Sequence, residues 1–599
     1  MPAAAGARPG TLLFVCGALI LAFWVTASVA RFFIDAPFIY TTDKEWLNSL
    51  VESVARFPGV FEAGLYLTAA TWVGPLVILA SVAVAMLQSG QGREGRVGSH
   101  PFAPWAAAVA AAGLAAGCRL IVTEGVFLLD DERSYAFQAA LFASGKLSLP
   151  PAPHAFDNPM LITSPVWMSI YPPGQALVLA PGAALGMPGL VPPILLGLLV
   201  LGVHRIARQE MGSSAALAAA VWVAVSPFFV ANAATLLSFT TVACAAVWCV
   251  AALAEADRTH RRAWNLAAGA LLGLVAITRP YDALALGLAV ASPLALRLHR
   301  RETAGGATAD LAVISLGALP LVCGLLLFNQ LTLGGPFHFA YTHGIYQFGF
   351  WVHPVPGFEY FHTPIQAVGN LTTGLIRLDG WLLGWPGATL LCWAGAFTHV
   401  RSRADLTGRL AVASHVLLYF VVLNTGTWDV GPTYYLAVAP WMVLLAVRGL
   451  RAMATTLVGP AFLPAALQAL FIVGPIAAWL TVVPLRALRL GTLAHEANAP
   501  WHAVAASGVG DAILVVPYGA QMGAAGYALG YPYEIRTGPR TRVRVCRPRS
   551  FQELLEARAW LGPELPVYAL HLDRTSLDRG GVRRYTLLRL DAPSPPVTN

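Results

Sequence analysis

Apolar runs close to the roughly 20 residues that a bilayer-crossing helix needs recur along this chain. They lie at about 11–30, 64–87, 103–123, 189–204, 213–230, 236–254, 264–278, 283–297, 311–328, 381–399, 410–424, 434–448 and 458–484. Shorter apolar stretches around 174–186 skim or re-enter the membrane. Charged residues are 11% of the chain, against about a quarter in soluble domains. The sequence therefore predicts an all-α polytopic membrane protein with about 13 transmembrane helices over residues 1–484.

The run at 11–30 follows Arg8 but is long and has no convincing cleavage site, so it reads as an uncleaved first helix. After residue 484 the composition changes. Residues 485–599 hold strand-like runs at 512–517, 542–546, 567–572 and 585–590, and a helix over 550–561. Ser550 with Glu553 three residues on gives that helix a capping box. This is a small soluble α/β domain.

The net charge of +8 does not point to nucleic acid, because the arginines sit in short loops between spans, where they encode topology. One set of alternate loops holds Arg93, Arg96, Arg205, Arg208, Arg258, Arg261, Arg262, Arg401, Arg403, Arg409, Arg448 and Arg451 among others. The opposite set, longer in total, holds only Arg31, Lys44, Arg56, Arg133, Lys146, Arg279 and Arg377. This bias of roughly two to one puts the first set in the cytoplasm. Seven cysteines show neither a CxxC nor a Cys/His cluster, so no disulfide framework or zinc site is predicted.

Acidic residues avoid the middles of the spans and gather at their outer ends: Glu124, Asp130, Asp131, Glu132, Asp157, Asp282 and Asp429. A transporter would more often place ionisable groups at the midplane. Three consecutive acids, Asp130, Asp131 and Glu132, follow the third span. A carboxylate there can draw the proton from an attacking hydroxyl, and crowding raises the pKa of at least one of the three. Asp130 can also cap a helix beginning near Glu132, and the two roles are compatible. Residues 329–365 carry His338, His343, His353 and His362 among aromatic residues that include Tyr341, Tyr346, Trp351 and Tyr360. Spacings of 5, 10 and 9 fit no compact metal-ligand pattern. Sugar stacking or interface anchoring suits these residues better.

Several short motifs, weak singly, occur in a characteristic order. They are Asp131-Glu132-x-x-Tyr135, Gly145-Lys146-Leu147, Tyr171-Pro172-Pro173-Gly174, Thr278-Arg279-Pro280, Asn329-x-Leu331-Thr332-x-Gly334-x-Pro336-Phe337 and Gly431-Pro432-Thr433-Tyr434-Tyr435. Over roughly residues 105–450 the chain resembles the GT-C superfamily, which includes protein O-mannosyltransferases and lipid A aminoarabinose transferases. The resemblance implies an inverting glycosyltransferase of the inner (plasma) membrane; the arginine bias puts the acidic site outside, and the odd number of spans puts the C-terminal domain there too. A polyprenyl-phosphate sugar is the implied donor, and a glycan, lipid or protein hydroxyl the acceptor. By position the catalytic base is Asp131, with Asp130 or Glu132 as alternative or helper.

Substrate-binding candidates are Tyr135, Lys146, Tyr171, Arg279, Asp282, His338, Tyr341, His343, Tyr434 and Tyr435. No cofactor is implied, and a divalent metal only if the donor is a pyrophosphate. The chain departs from the family pattern at Tyr171 and Thr433, where relatives carry basic residues. Phosphate recognition then falls to Arg279, Lys146 or Arg377. Arg279 alternatively snorkels as an anchor paired with Asp282. The competing functions are a transporter or flippase of lipid-linked sugars, and a non-catalytic scaffold.

Overall fold

The fold comes from a computed structural model that describes residues 101–156, 160–299, 304–343, 349–350, 353–355, 358–360, 363–385, 388–422, 426–457, 473–480, 482–516, 534–536, 542–577 and 583–591. The expected spans at 11–30 and 64–87, and Asp157, His362, Tyr346 and Trp351, lie outside the described residues.

The helices of the membrane part are α1 (Ala103–Gly117), α2 (Asp130–Ala143), α3 (Gly174–Ala184), α4 (Val191–Met211), α5 (Ser213–Val225), α6 (Pro227–Ala233), α7 (Phe239–Thr259), α8 (Arg262–Thr278), α9 (Pro280–His299), α10 (Ala304–Leu333), α11 (Pro364–Leu382), α12 (Ala388–Ala396), α13 (Arg403–Tyr419) and α14 (Ala439–Leu457). Among the described residues, three two-stranded hairpins lie between them: β1 (Leu161–Ile162) with β2 (Met168–Ser169), β3 (His353–Val355) with β4 (Phe358–Tyr360), and β5 (Thr427–Trp428) with β6 (Gly431–Pro432). Helix α15 (Val482–Ala506) leads to β7 (Ala512–Val515), β8 (Glu534–Arg536), β9 (Arg542–Cys546), α16 (Phe551–Leu561), β10 (Val567–Leu577) and β11 (Arg583–Arg589).

Among the described residues, five helical stretches are long and apolar enough to cross a membrane, or six if the bent pair α5–α6 is one span. The bend of 52° falls at Ser226–Pro227, where proline has no N–H to continue the ladder. The run expected at 381–399 is also divided: α11 ends at Leu382, Gly384 adopts a φ of +74°, and α12 starts at Ala388. Glycine reaches that left-handed backbone without the steric penalty of a side chain. At the other end of the membrane part, α15 runs through the boundary expected at 484. There the sequence turns from apolar to amphipathic without ceasing to favour a helix.

Close packing is carried by small residues, as is usual where lipid supplies no hydrophobic drive between helices. A Cβ on Gly317 of α10 would lie 2.2 Å from the Leu266 carbonyl oxygen, and one on Gly269 of α8 would lie 2.0 Å from that of Ile314. The two backbones therefore touch. The arginine-bearing loops share one end of the bundle, where Arg205 pairs with Glu255 at 2.8 Å, Arg403 with Asp257 at 3.1 Å and Arg448 with Glu210 at 3.2 Å. The 21 residues of α7 separate that end from Ser238 by roughly 30 Å.

The C-terminal sheet has the order β11-β10-β7-β9-β8, with β7 parallel to both β9 and β10. On α16 the Ser550 half of the predicted capping box forms, while Glu553 reaches one residue past the N-cap. The Ser550 hydroxyl accepts from the Glu553 N–H at 3.2 Å, and the Glu553 carboxylate accepts from the Arg549 N–H at 2.7 Å.

Candidate active site

The N-cap of α2 is Leu129, in extended conformation, so Asp130, Asp131 and Glu132 are the first three helical residues. The expected cap at Asp130 is not the one formed. All three carboxylates instead sit at the positive end of the helix dipole, and each has a different partner. Asp130 accepts from Arg133 at 2.9 Å. Glu132 is completely buried and accepts from the main-chain N–H groups of Leu128 and Leu236, both at 2.9 Å, with Arg119 at 3.6 Å. Asp131 is half-buried and accepts from the Tyr171 hydroxyl. Burial pushes all three carboxyls up. Arg133 opposes this at Asp130, the Tyr171 hydrogen bond at Asp131, and Arg119 at Glu132.

Tyr171 is brought there by the residues that follow it. Pro172 and Pro173 start α3, and a Cβ on Gly174 would lie 2.2 Å from the Thr278 hydroxyl and 2.7 Å from the Ile277 carbonyl. Only glycine lets α3 begin against the end of α8. That contact sets the Tyr171 and Thr278-Arg279-Pro280 motifs side by side.

The ring of Tyr135, one turn along α2, stacks on Tyr171 with centroids 4.6 Å apart, and Tyr341 lies against the same ring at 5.7 Å. The Tyr135 hydroxyl donates to Ser238 Oγ at 3.1 Å, and Arg279 Nη1 donates to the same oxygen at 3.5 Å. Arg279 pairs through Nε with Asp282, donates through Nη2 to the Tyr419 hydroxyl at 3.0 Å, and lies over the rings of Phe239 (4.2 Å) and Tyr434 (5.4 Å). Behind it, Tyr419 donates to Asp282 at 3.0 Å, while His415 stacks on Tyr419 and donates from Nε2 to the Tyr434 carbonyl at 2.8 Å. Asp131 and Arg279 are thus joined through Tyr171, Tyr135 and Ser238. Arg279 does not snorkel: its side chain is 16% exposed and held by the fold.

The structure therefore gathers Asp131, Tyr135, Tyr171, Arg279, Asp282, Tyr341 and Tyr434. Lys146 is exposed beyond the other end of the 14-residue α2, roughly 20 Å from Asp131. His338 is exposed on the turn after α10, its ring 3.4 Å from the Leu333 carbonyl oxygen. Tyr435 is buried toward α11, against Gly374, and Arg377 is half-buried on α11. His343 belongs to the 3-10 turn Ala340–His343, its side chain outside the described residues. Thr433 is completely buried, its hydroxyl donating to the Gly426 carbonyl at 2.9 Å, so an arginine has no room there. Among the described residues, no three His, Cys, Asp or Glu side chains gather as metal ligands would.

Sequence reasoning missed Ser238, Tyr419 and His415. A signal existed for His415, an ionisable residue inside the apolar run at 410–424. Ser238 and Tyr419 carry none.

Residues 172–323, from α3 into α10, match the model of the dolichyl-phosphate-mannose-protein mannosyltransferase family. The match covers 152 of the 599 residues. The matched stretch holds Arg279, Asp282 and Ser238; Asp131 lies before it and Tyr434 after it. Solved structures similar to this chain include ArnT from Cupriavidus metallidurans bound to undecaprenyl phosphate, with 14% identity, 78% of this chain and 93% of that one covered, and a TM-score of 0.49. Another is the archaeal oligosaccharyltransferase AglB from Archaeoglobus fulgidus in complex with an inhibitory peptide and a dolichol-phosphate, with 13% identity, 71% and 63% covered, and a TM-score of 0.38. No curated protein matches the chain. The arrangement offers a carboxylate to take a proton, a guanidinium to face an anion, and aromatic rings between them on which a sugar can stack.

Proposed function

We propose that this chain is a GT-C glycosyltransferase that transfers a sugar from a polyprenyl phosphate to an acceptor hydroxyl, with Asp131 as general base. The observation that carries this reading is the linkage of Asp131 to Arg279 through Tyr171, Tyr135 and Ser238. The acceptor hydroxyl attacks the anomeric carbon from the face opposite the phosphate, and Asp131 takes its proton. A new carbon–oxygen bond forms as the bond to the phosphate oxygen breaks, inverting the centre. The phosphate leaves with its negative charge, which Arg279 and the neighbouring hydroxyls stabilise without reorganising.

Asp282, Tyr419 and His415 hold Arg279 in place, and Glu132 ties the start of α2 to the 234–238 loop. With a monophosphate donor this chemistry calls for no metal. The arginine-bearing loops lie at the end of the bundle opposite the site, which supports an extracytoplasmic site in an inner (plasma) membrane.

The test is the chain in proteoliposomes with polyprenyl-phosphate mannose, labelled in the sugar, and a panel of envelope glycans, lipids and proteins. The label should leave the lipid for one acceptor class as free polyprenyl phosphate accumulates. Movement of intact labelled lipid across the bilayer, with no transfer to any acceptor, would mean a flippase instead.

A further inference from the structure

In an open α/β sheet, ligands bind in the crevice at the carboxyl ends of the strands, where neighbouring connections run in opposite directions. In the C-terminal domain that point is the end of β7, flanked by the parallel strands β9 and β10. Here the carboxyl ends of β7 and β9 are covered by the membrane part itself. Val515 and Cys546 share one apolar cluster with Ala155, Phe156 and Trp167 of the α2–α3 connection, and with Phe137 and Leu141 of α2. The Arg547 N–H donates to the Ala155 carbonyl at 2.7 Å, which adds a main-chain bond across the seam.

The rings form a continuous chain. Trp560 of α16 lies 5.3 Å from Phe156 and 6.0 Å from Trp167; Trp167 lies 5.4 Å from Phe137. Phe137 is six residues from Asp131 on the same helix, about 9 Å along its axis. The connection clamped at Phe156 and Trp167 also carries Met160. The Met160 carbonyl accepts from Ser134 at 2.6 Å, and its sulfur lies 3.1 Å from the Tyr171 hydroxyl oxygen. The connection is therefore tied to Tyr171 and to Ser134, three residues after Asp131 on α2.

We propose that the C-terminal domain is a clamp on the α2–α3 connection, with Phe156 seated where such a domain would take a ligand and Trp560 acting as a positioning residue for Asp131 and Tyr171. Area alone does not distinguish a clamp from a passive cap, but the path does: it reaches Tyr171, whose hydroxyl donates to the proposed base Asp131. The kinetic part of the test rests on the transfer reaction proposed above; the exchange part does not.

The full chain in nanodiscs is compared with its Trp560→Ala, Trp560→Phe and Phe156→Ala variants. Hydrogen exchange is read at residues 128–143 and at β10. In the same preparations kcat and KM are measured with polyprenyl-phosphate mannose. Trp560→Ala and Phe156→Ala should each raise exchange at 128–143 about tenfold and lower kcat by about ten- to a hundredfold, with KM for the donor within about twofold, as misplacement of a catalytic group does. Trp560→Phe should restore both, and β10 should stay protected in Phe156→Ala, which removes nothing from the domain's own sheet. Unchanged exchange at 128–143 in Phe156→Ala would overturn the clamp whether or not any variant transfers sugar. Raised exchange with an unchanged kcat would overturn the positioning role.

Discussion

Three adjacent carboxylates have three different tasks, and only tertiary neighbours separate them. That an acid at residues 130–132 would matter was legible, because three charges in a row beside a span are costly to place. Which one is free for chemistry was not. The choice depends on Arg133, on the Leu236 N–H from 104 residues away, and on the Tyr171 hydroxyl 40 residues away. Glu132→Ala should leave Arg119 buried without its carboxylate and cost about 3–5 kcal/mol of stability, seen as a lower thermal midpoint in detergent. Asp130→Ala leaves Arg133 buried without its carboxylate and should lower the midpoint as well.

The pH profile is a second residue-scale test. Asp131 must be ionised to accept a proton, and burial raises its carboxyl, so kcat/KM should climb with pH through a value above the ordinary carboxylate pKa of about 4. The Tyr171 hydrogen bond works against that shift. Tyr171→Phe should therefore move the acidic limb to higher pH, and a limb moving to lower pH would contradict the assignment.

At the scale of elements, long apolar runs were readable as helices, while their breaks and ends were less so. The α5–α6 bend and the α11–α12 break fall within runs whose mean hydropathy gives no sign of them. A single proline or a glycine with positive φ decides them. The boundary expected at 484 falls inside a helix for a related reason: α15 keeps a helical sequence while losing its apolar one. The contact of α3 with α8 was not legible either, since Gly174 reads as part of a turn until Ile277 and Thr278 are seen against it. Gly174→Val should push these elements apart, separate Tyr171 from Arg279, and lower kcat by about a hundredfold. Gly287→Ala, where nothing lies within 4 Å of the added carbon, should have no effect in the same assay.

The whole molecule puts its basic loops at one end of the bundle and its candidate site with the α/β domain at the other. Charge distribution along the sequence carried this polarity, because topology is encoded in short loops rather than in packing. In a cysteine-free background, Lys146→Cys should react with a membrane-impermeant thiol reagent applied to intact cells, and Arg261→Cys only after permeabilisation. The reverse pattern would invert the assigned topology. Chelation by EDTA should leave transfer unchanged, because Arg279 rather than a metal is assigned to the leaving phosphate. A chelator-sensitive rate, restored by a divalent cation, would point to a pyrophosphate donor.

The central claim is that Asp131 is the base. Transfer of mannose from polyprenyl-phosphate mannose, measured for purified wild type and Asp131→Asn in the same vesicles, tests it directly. Loss of the general base should lower kcat by about a hundred- to ten-thousandfold, with donor binding and thermal midpoint close to wild type. A variant that transfers at a near-normal rate would show that the proton goes elsewhere.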